Sequence, residues 1–165
     1  LRINPQHALA NYAMGFLQLR RGEVDLAEDS FRQSIAVARS SEALNDLAWL
    51  LQGRGEYREA EKLAREATAV GSKSPQAWDT LGVILMKTAK SDTARMDEAE
   101  LALNRALLAM KDEPSVLLHI AMLQVERGQK ARAGEILKAL SARRGSLSPE
   151  DRREFDELVA GLGAK

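Results

Sequence analysis

At 165 residues, 45% hydrophobic and 29% charged, the chain has the composition of a folded protein rather than a disordered one. Its 24 Lys and Arg balance 24 Asp and Glu, so it lacks the cationic excess that binds phosphate backbones, and nucleic acid is not expected as a partner. It has no cysteine, which excludes disulfides, thiolate metal sites and cysteine nucleophiles; its densest apolar run, Leu81 to Met86, falls far short of the roughly 18 residues of a membrane span.

Taken in chain order, the pattern predicts nine helices. The first lies over 6–20, opened by Asn4-Pro5, where a capping side chain precedes a proline that loses nothing at the first helical position. Gly22 reverses the chain into 24–38. Ser40-Ser41-Glu42 opens 42–52, and Gly55 turns into 57–70. Ser74-Pro75 opens 75–88, followed by 96–110 after a polar loop from about Lys90 to Arg95. Asp112-Glu113-Pro114 opens 114–127, Gly128 turns into 130–143, and Ser148-Pro149 opens 149–161. The chain begins at Leu1 without a methionine and shows no signal peptide. The Leu-x-Ile-Asn-Pro start reads as the end of one helical repeat running into the next, so a fragment of a longer protein is expected.

The helices repeat. Gly15, Ala48, Gly82 and Ala121 hold equivalent places at separations of 33, 34 and 39 residues. Ala27, Ala60, Ala99 and Ala133 do the same on the second helices, at separations of 33, 39 and 34. Five extra residues therefore fall between Gly82 and Ala99, in the turn of the third unit, where Ala89 stands in place of the turn glycine. Small residues at these places let antiparallel helices approach closely. Four residues on, Phe31, Ala64, Leu103 and Leu137 fill the next turn.

These residues resemble the tetratricopeptide repeat, a 34-residue helix-turn-helix. The resemblance rests on Trp78-Asp79-Thr80-Leu81-Gly82, on Ala27 with Phe31, and on Gly55-Glu56-Tyr57-Arg58-Glu59-Ala60. It covers about residues 6 to 143, as repeats over about 6–39, 41–73, 75–112 and 114–145 of a single domain, with 149–161 as a capping helix. The departures are Ala64 and Gln124 at places usually aromatic, and the five-residue insertion. The resemblance implies an all-α, right-handed α-solenoid whose first helices line a concave groove.

It also implies a non-catalytic module that binds a peptide or a partner's helix in that groove. The alternative is an architectural segment that self-associates through its exposed N-terminal repeat. Projected onto this sequence, the groove holds Tyr12, Phe16 and Leu19; Asn45, Asp46 and Trp49; Asp79, Thr80, Val83 and Met86; and Leu118, His119, Met122 and Val125. Trp78 and Phe31 fall at packing positions and are expected in the core. Asp46 and Asp79, on adjacent units, read as solvated groove acids that select basic or amide-bearing ligands. The clamp of Lys, Asn and Arg by which chaperone-adaptor repeats of the family it resembles hold a C-terminal carboxylate is absent: Tyr12, Phe16, Asp46, Gln76 and Thr80 stand in those places. No cofactor, metal site or catalytic group is expected. His7 and His119 lie near opposite ends, the glycines fall singly, and no serine and histidine share a fixed spacing.

Overall fold

The computed structural model describes residues 5–163, with side chains from His7 onward; the expected cap at Asn4 lies outside them. Nine α-helices follow one another: α1 (Pro5–Arg20), α2 (Val24–Val37), α3 (Ser41–Gly53), α4 (Tyr57–Val70), α5 (Pro75–Ala89), α6 (Thr93–Ala109), α7 (Pro114–Glu126), α8 (Lys130–Ser141) and α9 (Pro149–Gly163). A short 3-10 turn, Arg144–Ser146, precedes α9. The first eight form four antiparallel hairpins that stack side by side as an all-α solenoid, with α9 packed against α7 and α8.

Three helix starts use the serine caps their sequences offer, whereas Glu113 ahead of α7 makes no side-chain cap bond. Ser40 Oγ accepts from the Ala43 N–H at 3.1 Å, Ser74 Oγ from Ala77 at 3.4 Å and Ser148 Oγ from Asp151 at 3.0 Å. Three hairpin turns depend on glycine in the left-handed region, with φ of 75° at Gly22, 78° at Gly55 and 75° at Gly128. In each, the next residue's N–H reaches back five positions: Glu23 to Gln18 O, Glu56 to Leu51 O and Gln129 to Gln124 O.

The third turn differs from the expected loop. Helix α5 runs on to Ala89 and α6 begins at Thr93, leaving only residues 90–92 between them. The insertion therefore lengthens the hairpin instead of bulging from it. Asp92 caps α6 by accepting from the Arg95 N–H, and Arg95 binds Glu61 and Thr88, which holds the added turn against α4 and α5. The reversal falls on Lys90, whose φ of 50° and ψ of −112° suit glycine better than lysine.

Inside the hairpins the small residues do what their spacing demands. Ala27, Ala60, Ala99 and Ala133 have no exposed surface. A Cβ on Gly15 would stand 2.7 Å from Phe31 Cε1, and one on Gly82 would stand 2.6 Å from Leu103 Cγ. Successive second helices are tied by arginine–carboxylate pairs, with Arg32 on Glu59 at 2.7 Å and Arg65 on Glu98 at 2.5 Å. Exposed pairs of this kind contribute roughly 0–1 kcal/mol each, so they fix register between units more than they stabilise the core.

Candidate binding groove

The first helices of the last three hairpins line one cavity together with α9. Helices α3, α5, α7 and α9 together enclose an open cavity of about 600 Å³. Asn45 and Trp49 come from α3, Asp79 and Thr80 from α5, Ser115 and His119 from α7, and Glu150 and Asp151 from α9. Trp49 is half-buried, its ring centroid 6.3 Å from that of His119. His119 is only 3% exposed, and its Nδ1 lies 2.8 Å from Asp79 Oδ1. Burial disfavours a charged imidazole there. The Asp79 carboxylate and its hydrogen bond, with Asp151 and Glu154 beyond, outweigh that and hold the ring's pKa above its ordinary value.

The cavity has one sign of charge. Asp79, Glu113, Glu150 and Asp151 line it, and no Lys or Arg does among the described residues. Asp46 adds to this from the side of α1. Its Oδ2 accepts from the Tyr12 hydroxyl at 2.9 Å and its Oδ1 from Asn45 Nδ2 at 3.1 Å. Burial nevertheless pushes the Asp46 carboxyl up, and the two hydrogen bonds offset this only in part. The Tyr12 phenol, desolvated and facing Asp46, is pushed up to about 12, so it stays protonated and keeps donating. Asn45 Oδ1 is buried with no hydrogen-bond partner, an acceptor with spare capacity at the rim of the cavity.

The ten residues expected to form the site divide three ways. Asn45, Trp49, Asp79 and His119 meet around the cavity, with the bonded pair Tyr12 and Asp46 beside it. Phe16 is 52% exposed and stands apart on α1, and Met122 is half-buried and lines a smaller cleft of about 370 Å³ with Val125, Leu158 and Leu162. Val83 and Met86 correct the expectation, since they are 1% and 4% exposed. The whole run Leu81–Met86 is buried, because α5 is the central helix and packs on α3, α4, α6 and α7 together. Leu118 is likewise fully buried. Asp46 and Asp79 each take a separate partner, Tyr12 and His119.

Phe31 lies in the core with no exposed surface, as expected. Trp78 does not. It is half-buried at the edge, with its indole N–H donating to Ser72 O at 2.9 Å and the Arg105 guanidinium 4.4 Å over its ring. Sequence reasoning missed what α9 brings to the groove. Ser115 Oγ donates to Asp151 Oδ2 at 2.7 Å, and Glu154 reaches toward Lys87 of α5 at 3.9 Å. The acidic pair Glu150-Asp151 was the available signal, but a helix start explains it equally well.

A larger depression, about 860 Å³, lies on the face made by the second helices, between α2 and α4. Two of its arginines are engaged in ion pairs, Arg32 with Glu28 and Glu59, and Arg39 with Glu66. Among the described residues, no helix is long and apolar enough to cross a membrane.

The stacked hairpins, their small-residue crossings and the lined inner face define an α-solenoid of helix-turn-helix units. Residues 40–71 match the family model of the tetratricopeptide repeat, and the nine-helix architecture is that of solved tetratricopeptide-repeat proteins. Solved structures share the fold well beyond that segment. A thermophilic tetratricopeptide-repeat protein of Thermus thermophilus is 20% identical with a TM-score of 0.78, over 94% of this chain and 83% of that one. For pilF of Pseudomonas aeruginosa the figures are 23% and 0.70, over 94% and 69%. For YrrB, described as having an unusual peptide-binding site, they are 15% and 0.64, over 79% and 66%. No curated protein matches the chain by sequence.

Proposed function

We propose that this solenoid is a non-catalytic interaction module that takes a peptide or a partner's helix into its concave groove. The observation that carries the reading is the cavity at Trp49. A half-buried indole lies beside buried polar groups, and the carboxylates around it have no lysine or arginine to neutralise them. An aromatic face with convergent polar groups suits an apolar anchor, and the surplus negative charge selects a neighbouring basic or amide-bearing side chain. The peptide-binding site described for YrrB, which shares the fold, is consistent with this use.

Panning a random peptide library against the full chain and against Trp49→Ala/Phe16→Ala tests it. Peptides carrying an apolar residue beside Lys or Arg should be enriched by the parent protein and lost by at least about tenfold with the double variant, at unchanged helicity. No enrichment, or enrichment indifferent to the substitutions, would overturn it.

One further observation favours self-association as a second reading. The first hairpin exposes Leu9 (68%), Met14 (50%), Phe16 (52%), Leu17 (43%), Val24 (39%) and Leu26 (52%). So dense an apolar surface on two adjacent helices is the kind that another protein surface covers. Sedimentation over a range of concentrations should show mass rising with concentration, and Leu9→Lys/Leu17→Lys should abolish the rise. A strict monomer at every concentration contradicts this reading and leaves the groove proposal intact.

A further inference from the structure

At the α9 wall of the cavity a ring nitrogen of His119 and carboxylate oxygens of Asp151 and Glu154 all lie within 4.8 Å of one another. We propose that these three side chains bind a divalent first-row transition ion, with Zn2+ as the test case, and that the ion staples helix α9 to the last hairpin.

The chemistry of the donors supports an ion of this class. An imidazole with two carboxylates is a nitrogen–oxygen set suited to Zn2+, Mn2+, Fe2+ or Co2+, whereas Ca2+ and Mg2+ take oxygen alone. His119 and Asp151 are 3% and 7% exposed, and Glu154 is half-buried. Buried carboxylates need a cation or several hydrogen bonds, and here compensation is thin. Asp151 accepts from the neutral hydroxyl of Ser115, and Glu154 has Lys87 only at 3.9 Å. With Asp79 included, three carboxylates surround one imidazole and one lysine.

A second observation is independent of the carboxylate cluster. Asp79 holds His119 Nδ1 at 2.8 Å. That is the carboxylate–histidine arrangement by which proteins orient a ring and raise its basicity toward a metal, and it leaves Nε2 for the ion. Ligand atoms about 2.0–2.2 Å from a tetrahedral ion stand roughly 3.4 Å apart, so binding draws the cluster inward by an ångström or so. The long Lys87 contact gives way most easily. The adjoining cavity leaves room for a fourth ligand, from water or from a partner. Because the ligands come from α7 and α9, occupancy ties the cap to the groove floor beside Trp49.

The test is calorimetric titration of the full chain with Zn2+, after chelation and dialysis, at mildly alkaline pH where imidazole yields its proton to an ion. One ion per chain should bind at micromolar affinity or tighter and raise the thermal midpoint. Glu154→Gln should weaken binding at least about tenfold, and Asp79→Asn, acting only through His119, by about 10–100-fold. Glu150→Gln, exposed on the same cavity but outside the cluster, should bind like the parent. Co2+ should give a visible absorption band that Glu154→Gln abolishes. Binding weaker than millimolar, more than one equivalent indifferent to Glu154→Gln, or loss with Glu150→Gln alike would each overturn the proposal. Glu154 is half-buried and its variant is expected to fold, so the outcome does not depend on Asp151→Asn, which could unfold the cap. Zinc binding and peptide capture are separate readouts, and either can fail alone.

Discussion

Leu103→Ala is expected to destabilise the protein by about 2–5 kcal/mol and Gly82→Ala by about 1–3 kcal/mol, while the double variant costs clearly less than their sum. Leu103 has no exposed surface, so truncating it leaves a cavity in the middle of the solenoid. A methyl group on Gly82 would meet Leu103 Cγ at 2.6 Å and Cδ2 at 2.7 Å, with Ala99 O at 3.3 Å. In an open helix the same change would gain about 1 kcal/mol, because glycine is a poor helix former. The steric term outweighs that gain here, because the obstacle is the branch point of a packed leucine. Once Leu103 becomes alanine, the obstacle is gone and the new methyl partly fills the cavity. A urea-denaturation cycle of the four proteins should yield a coupling of at least about 1 kcal/mol. Additivity within about 0.3–0.5 kcal/mol would mean that α5 and α6 do not meet through this pair.

That pair also shows what the sequence makes legible. A glycine or alanine at fixed spacing, with a bulky residue four beyond its partner, describes the contact between two helices of one hairpin. Such contacts are local, and the fold follows from them. The insertion was legible as a count but not as a shape. Five extra residues can bulge as a loop or lengthen two helices, and Asp92 as a cap with Arg95 bound to Glu61 decides for the second. The groove was half legible. Projection onto the inner face found Trp49, Asp79 and His119, but it could not count how many neighbours cover the central helix, and so it left Val83 and Met86 at the surface. Trp78 failed the other way, because an indole held by Ser72 O and covered by Arg105 can rest at the edge. The meeting of His119 with Asp151 and Glu154 joins residues more than thirty positions apart and had no periodicity to announce it.

Gln124 is where sequence and packing disagree most sharply, and Gln124→Leu is expected to stabilise the protein by about 1–3 kcal/mol. The residue is 1% exposed, and both Nε2 and Oε1 of its amide are buried with no hydrogen-bond partner. Desolvating an amide without compensation costs free energy that an apolar side chain of similar size does not lose. The other units show what fits. Three residues beyond Ala48 and Gly82, at the place Gln124 holds beyond Ala121, stand Leu51 and Leu85, each fully buried. In the first unit the place is Gln18, which is half-buried and has Ser30 Oγ at 2.7 Å. Leucine is therefore already the solution in the two central hairpins, and a glutamine is tolerated where it finds a hydroxyl. The backbone of Gln124 must keep its role, since its carbonyl accepts from the Gln129 N–H at 2.7 Å to close the turn at Gly128, and substitution leaves that bond in place. Each kcal/mol corresponds to roughly 2–4 °C in a chain of this size, so a thermal melt resolves the change. Gln124→Ala should gain less than leucine, because it trades the stranded amide for a cavity. A leucine variant that melts below the parent would mean that the amide is satisfied in solution, with ordered water the group to look for.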